Sequence, residues 1–318
     1  MQRKIAILGG VGLIGSHLIE RLIETPCEIY CVDVREPSAS PLLRNLDPER
    51  FHYVRHNITS PFTIRCDEIY NLCTPTRVNY DKQLPVESLK THLLGGFNTL
   101  ENARTEFAKV LYASSSRIYT PSPRFEPEPC HERRIIAEGI RGSEMIHQAY
   151  FQEYGVDCRI ARLFNCYGSG ADLNDRRVVM RMVSNALLNR PITIFGSGEQ
   201  LRTFCWAGDI AEGLIALMQA PPAHQPRIVD LGGDQEVSIR TLAEKIIELT
   251  GSHSAIHHVE ARHGDQRACR PDLTTAANEL HWRPKTSLVE GLKRLIEYVE
   301  REFSAYSSST RTWVEIYG

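Results

Sequence analysis

Residues 4–35 read KIAILGGVGLIGSHLIERLIETPCEIYCVDVR, and the fold follows from them. Residues 5–8 are an apolar run of strand length. Gly9, Gly12 and Gly15 follow at G-x-x-G-x-x-G spacing. Residues 16–23 then carry Leu18, Ile19, Leu22 and Ile23 at helical spacing. A second strand over 28–32 ends at Asp33.

Strand, glycine turn, helix and strand in this order point to a dinucleotide. Gly9 lets the chain turn off the strand, Gly12 lets the backbone approach a pyrophosphate, and Gly15 allows close packing of helix and sheet. The helix N-terminus offers N–H groups and a partial positive charge to the phosphates. Asp33 is placed to accept hydrogen bonds from an adenosine ribose. Its carboxylate repels a 2′-phosphate, so NAD is favoured over NADP, and Arg35 weakens that preference slightly.

The chain of 318 residues, 42% hydrophobic and 24% charged, suits one large or two modest globular domains. A net charge of −2 gives no electrostatic case for nucleic acid or an acidic membrane. No apolar run approaches membrane-spanning length. The first strand begins almost at once, with no run that reads as a targeting peptide. Nine cysteines are scattered without a C-x-x-C pair, the pattern of reduced thiols in a cytoplasmic protein. His253, His257, His258 and His263 cluster, but no carboxylate or cysteine joins them at ligand spacing, so no metal is expected. The tail after Phe303 is expected to be loosely held.

Further strands are expected at 51–54, 68–73, 110–113 and 158–163, with helices over 86–107 and 134–154. The polar loop 74–79 and a proline-rich loop over 121–129 lie between them. Strands alternating with helices predict a doubly wound α/β fold of Rossmann type over 1–168. Beyond Gly168 a smaller C-terminal α/β substrate lobe is expected over 169–318, with helices at 178–188, 239–250 and 288–303 and a turn at Gly196–Gly198. A helix at 209–218 and a strand at 228–231 return the chain to the first sheet around 205–232. Ligands on such sheets bind beyond the carboxyl ends of the strands, so the loops after Leu8, Val32, Leu72, Ala113 and Leu163 share one cleft.

With these elements placed, the chain resembles the extended short-chain dehydrogenase/reductases that act on nucleotide sugars, from Ile5 to about Glu302. Within that NAD-dependent epimerase/dehydratase group it looks closest to UDP-glucuronate decarboxylases. The marks are DEIYNLCTP (67–75), Asn79-Tyr80, Lys90-Thr91, ASSS (113–116), RLFNCYG (162–168), RVV (177–179), GSGEQLRTF (196–204) and RPD (270–272). The resemblance implies NAD contacts at Gly9, Gly12, Leu13, Ile14, Gly15, Asp33, Asn57, Ile58, Leu72, Cys73 and Thr74. It implies UDP-sugar contacts at Asn165, Arg177, Val178, Arg202 and Arg270; guanidinium groups suit a diphosphate through bidentate bonds. It further implies a homodimer paired through the helices at 86–107 and 134–154.

The family's chemistry uses a tyrosine and a lysine four residues later, on the helix after the fifth strand, to remove a proton from a sugar hydroxyl during hydride transfer. Registering that helix on Ser143-Glu144 and Tyr150 puts Ile136 and Ile140 at these positions. Arg117 stands where the decarboxylases carry a glutamate. Two functions remain. One is an enzyme with rebuilt chemistry, its base drawn from Ser115, Tyr119, His131, Tyr80, Glu132 or Arg141. The other is a non-catalytic protein that binds NAD and a nucleotide sugar.

Overall fold

A computed structural model describes residues 2–75, 84–119, 132–173, 175, 177–261 and 270–307. The first half runs β1 (Arg3–Leu8), α1 (Leu13–Leu22), β2 (Cys27–Asp33), β3 (Phe51–Arg55), β4 (Glu68–Asn71), α2 (Pro85–Glu106), β5 (Lys109–Ser115), α3 (Glu132–Tyr154) and β6 (Cys158–Leu163). Short elements follow: β7 (Cys166–Tyr167), α4 (Val178–Leu187), β8 (Ile192–Phe195), β9 (Leu201–Thr203) and β10 (Cys205–Trp206). Then come α5 (Ala207–Gln219), β11 (Arg227–Leu231), β12 (Glu236–Ser238), α6 (Ile239–Thr250), β13 (Ile256–Val259), α7 (Thr274–Glu279) and α8 (Leu288–Ser307).

Seven strands form one parallel sheet in the order β11-β6-β5-β4-β1-β2-β3. The chain leaves β1 toward β3, then crosses back to β4 and continues to β11. The reversal falls between β1 and β4, and the carboxyl ends of these strands open the crevice such sheets use for ligands. One face buries Leu18, Ile19 and Leu22 of α1 against Ile210, Leu214 and Leu217 of α5. The other buries Leu100 and Ala103 of α2 and Tyr150 of α3 against Ala6, Leu8 and Val110. A further apolar core joins α4, α6 and α8 through Val183, Leu242 and Leu295.

Two buried charged side chains lock the return of the chain. Arg159 is 1% exposed on β6. It donates to Leu217 O at 2.6 Å and to Met218 O, where α5 presents its unsatisfied last carbonyls. Asp157 balances its charge at 2.9 Å. Asp209, in the first turn of α5, accepts from Lys285 N at 2.8 Å, Thr286 N at 2.7 Å and Thr286 Oγ1 at 2.9 Å. The segment that leads into α8 is thereby fastened to the helix of the large sheet.

Some expected boundaries move. Helix α1 begins at Leu13, not at residue 16, because the last glycine of the turn is already helical. Strand β4 stops at Asn71, whose side-chain oxygen turns back to accept from Cys73 N at 3.2 Å. Helix α2 ends one residue early, at a left-handed Phe107 with φ of 56°. Helix α8 runs on to Ser307, and the rest of the tail lies outside the described residues. Among the described residues no helix is long and apolar enough to cross a membrane. None of their His, Cys, Asp and Glu side chains form a group of three able to hold a metal ion.

Between α2, α3 and β5 lies a buried polar cluster. His92 Nδ1 meets Tyr112 Oη at 2.9 Å, the Tyr112 ring stacks on His147 at 4.8 Å, and His147 Nδ1 donates to Ser143 O at 2.7 Å. His92 Nε2 and His147 Nε2 are buried without a partner among the described residues. Burial therefore pushes both imidazoles down to about 4, and the nearby Arg117 charge adds to the effect at His92. The unfolded chain protonates them near 6.5. Their neutral burial costs nothing above that pH, and stability drains as pH falls toward 4, by about 1.4 kcal/mol per pH unit for each imidazole. Urea midpoints taken at about pH 7 and about pH 5 should show this loss, and His147→Phe should make it shallower.

Candidate functional site

The cofactor cradle is built from backbone. Gly9 has a φ of +78°, and a Cβ there would stand 3.1 Å from Leu72 C, so both its conformation and its space require glycine. A Cβ on Gly15 would stand 2.5 Å from Gly9 O, so a side chain would strike the glycine loop itself. Gly10 is equally crowded: its Cβ would meet Cys31 Sγ at 2.6 Å. Reading only the first glycine of each triplet misses it, although the doubled Gly9-Gly10 was the available signal. Residues 13 and 14 open α1, so the free N–H groups of that helix face the loop.

Asp33 ends β2 and is 8% exposed. Its Oδ2 accepts from Val11 N at 3.0 Å and its Oδ1 from Arg35 N at 2.9 Å. Arg35 in turn donates to Val11 O at 2.7 Å. Val11 is thus held from both sides, and the carboxylate is fixed at the rim of the loop with lone pairs left over for a ribose. Leu72 N donates to Leu8 O at 2.9 Å, which brings Leu72, Cys73 and Thr74 beside Gly9. Asn57 caps its own turn, its Oδ1 accepting from Thr59 N at 3.1 Å, while Ile58 is buried against Gly95 of α2. The glycine cradle, the helix N-terminus and the fixed carboxylate fit a dinucleotide.

The carboxyl ends of β5, β6 and β11 carry the polar residues nearest the expected chemistry. Ser115 Oγ accepts from Arg117 N at 3.3 Å and so caps the turn after β5. Ser114, which the sequence did not single out, donates to Glu144 at 2.5 Å. Glu144 is buried and binds Arg162 through both oxygens, at 3.0 and 2.8 Å. Arg162 also donates to Tyr119 Oη at 3.0 Å, and Tyr119 donates to Asp230 Oδ1 at 2.7 Å. Burial pushes the Tyr119 phenol up to about 12, the Asp230 bond adding to this and Arg162 opposing it. Burial also raises the Asp230 carboxyl. Asp230 and Glu144 have no local sequence signature, because the network joins residues up to 111 positions apart.

Beside this network is an apolar corner. Ile136 and Ile140, one turn apart on α3, pack with Ile118 and are 7%, 3% and 7% exposed. Arg141 donates to Ile118 O, tying the helix to the turn after β5. Residues 136 and 140 thus pack against the turn that follows β5. Tyr80 and His131 lie outside the described residues, as does the side chain of Glu132.

The predicted substrate residues come from separate elements. Asn165 Nδ2 donates to Thr203 O at 3.3 Å, which sets it beside Arg202 on β9. Arg177 precedes Val178 at the start of α4 and is held by Asp175, Nε to Oδ2 at 2.6 Å. Arg270 is exposed in the segment before α7. That segment reaches the network, since Asp272 N donates to Asp230 Oδ2 at 3.1 Å. Asn165 is thus tied to β9 at the residue after Arg202, and the Arg270 segment joins the Tyr119 network.

A seven-stranded parallel sheet with this cradle and this C-terminal lobe is the epimerase fold of the short-chain dehydrogenase/reductases. The chain belongs to the NAD dependent epimerase/dehydratase family, whose model matches residues 5–232. It is 33% identical over 311 residues to UDP-glucuronic acid decarboxylase 1 of Xenopus tropicalis, covering 95% of this chain and 73% of that one. It is 34% identical over 304 residues to UDP-glucuronic acid decarboxylase 5 of Arabidopsis thaliana, covering 92% and 88%. The UDP-glucose 4-epimerase of Thermotoga maritima, solved with UDP-glucose, shares the fold with a TM-score of 0.82 at 24% identity, over 94% of this chain and 99% of that one. So does the UDP-glucuronic acid 4-epimerase of Bacillus cereus, solved with UDP-glucuronic acid and NAD, with a TM-score of 0.79 at 22% identity over 94% and 99%.

We propose that the fixed Asp33 carboxylate sets a preference for NAD over NADP. Isothermal titration should give NAD an affinity at least tenfold above that of NADP, a difference of about 1.4 kcal/mol. Equal affinities would remove the role assigned to Asp33.

Proposed function

We propose that the chain binds NAD and a UDP-sugar in the family's cleft and acts on the sugar without the usual tyrosine–lysine pair. The cradle carries this reading: Gly9 takes a left-handed φ close against Leu72, Gly15 leaves no room for a side chain, and Asp33 is held ready at the loop. The sugar nucleotide follows from kinship with the decarboxylases and from Asn165, Arg177, Arg202 and Arg270 standing at the family's substrate positions. Ile136 and Ile140 take the tyrosine and lysine positions, and neither donates or accepts a proton. A second reading, a non-catalytic binder of the same two ligands, is favoured by the closed apolar corner they make with Ile118.

Loss of a positioned acid–base group costs about 10²–10⁴-fold. UDP-glucuronate should therefore give little UDP-xylose, at a rate lower than an ordinary decarboxylase by that order. Ile136→Tyr with Ile140→Lys should raise the rate in part, and adding Arg117→Glu should raise it further. Product formation by wild type, double and triple variants is the measurement. A wild-type rate ordinary for the family would show that another residue carries the proton as efficiently as the usual pair; no turnover of any UDP-sugar that binds would select the second reading.

We also propose a homodimer paired through α2 and α3. Leu94 and Phe97 on α2 and Met145 on α3 are 48%, 45% and 70% exposed, although both helices already bury an apolar face. Two-fold pairing is the commonest assembly of soluble proteins. Light scattering at micromolar concentration should give twice the chain mass, and Phe97→Arg should give the monomer.

A further inference from the structure

We propose that Tyr119, backed by Asp230 and Arg162, is the catalytic residue that takes the proton of a sugar hydroxyl and passes its own to Asp230. This deepens the reading that the chain acts on its bound sugar and rests on it. Tyr119 is 45% exposed, yet its hydroxyl is fixed by two charged partners. It donates to Asp230 at 2.7 Å and accepts from Arg162 at 3.0 Å, so its proton already points along the path proposed.

The surroundings place the phenol at the cleft. It follows Ser115 at the end of β5. Its ring lies 6.1 Å from that of Phe164, the residue before Asn165. Asp230 accepts from the backbone of Asp272, two residues from Arg270. Two predicted substrate positions therefore lie close along the chain to groups that touch the pair: Asn165 follows Phe164, and Arg270 stands two residues before Asp272.

A bound nicotinamide dinucleotide supplies the hydride acceptor. As the sugar C–H bond breaks and the carbonyl forms, the hydroxyl proton moves to Tyr119 Oη and the Tyr119 proton to Asp230 Oδ1. The carboxylate loses its charge as the cofactor's ring loses its own, so atoms and charge balance. Arg162 stabilises negative charge on Oη at mid-transfer. It is itself held by Glu144 at 2.8 Å, and the Glu144–Ser114 bond fixes that carboxylate. A phenol beside a cation is what the usual pair offers; here the proton's destination is a carboxylate.

Asp230 is faced by Tyr119 from the turn after β5, Arg162 from β6 and Asp272 from the segment before α7. Burial lifts its carboxyl above the ordinary range, which makes it a better acceptor. It must be ionised to act, so the rate falls as pH drops through its titration.

The test uses the full chain with NAD and UDP-glucuronate, reading reduced cofactor in a single turnover across pH, and sugar-nucleotide affinity by titration. Tyr119→Phe should lose about 10²-fold or more in rate, with affinity within about threefold. Asp230→Asn should lose a similar factor and flatten the acid limb of the profile. A readout without cofactor accompanies these: UDP-glucuronate should perturb the tyrosine absorbance of the wild type but not of Tyr119→Phe. If Tyr119→Phe folds, binds and keeps its rate, or if the wild-type perturbation survives in it, the proposal is overturned and the enzyme reading stands. If the wild type binds the sugar nucleotide yet never reduces the cofactor, the enzyme reading falls and the relay with it.

Discussion

At the point where the strand order reverses, the backbones of Gly9 and Leu72 come so close that a side chain on residue 9 would press against the neighbouring strand at 3.1 Å. Everything else in the cleft is aimed from this contact. It brings the exits of β1 and β4 together, points the first turn of α1 at the gap, and sets Val11 where Asp33 and Arg35 can grip it. A larger residue at position 9 would need both a strained φ and a displaced neighbouring strand. The walls of this crevice are therefore mostly main chain, which makes its shape depend little on the side chains around it.

All seven strands of the large sheet were legible, because each is an apolar run bounded by turn residues. The long helices were legible from their apolar spacing. The small strands β7–β10, β12 and β13 were not, nor was α7. Strands of two to four residues have too few side chains to show an alternation, and their partners lie far along the chain, as when β13 pairs with β8 and β12 with β9. Asp33 and the glycines were legible as a site because their spacing is local. Asp230, Glu144 and Ser114 were not, since their meaning lies in partners from other strands. Sequence placed Tyr119 among several candidates; the two hydrogen bonds at its hydroxyl distinguish it.

Buried polar groups hold both ends of α5. Arg159 closes the last turn of α5 while Asp209 anchors residues 285 and 286 to its first turn. Both are buried, so each unpaired partner would pay the full desolvation penalty of a polar group in the interior. That asymmetry keeps α5 in register with β6 and β11, and so holds Asp230 opposite Tyr119.

The three isoleucines beside the end of β5 also set what the corner tolerates. Ile140 is 3% exposed. A lysine there must shed its water, at an effective cost of several kcal/mol, before any partner repays it. A tyrosine alone at 136 gives up packing against Ile118. The corner therefore resists single polar substitutions, and only a paired change offers each new group a neighbour.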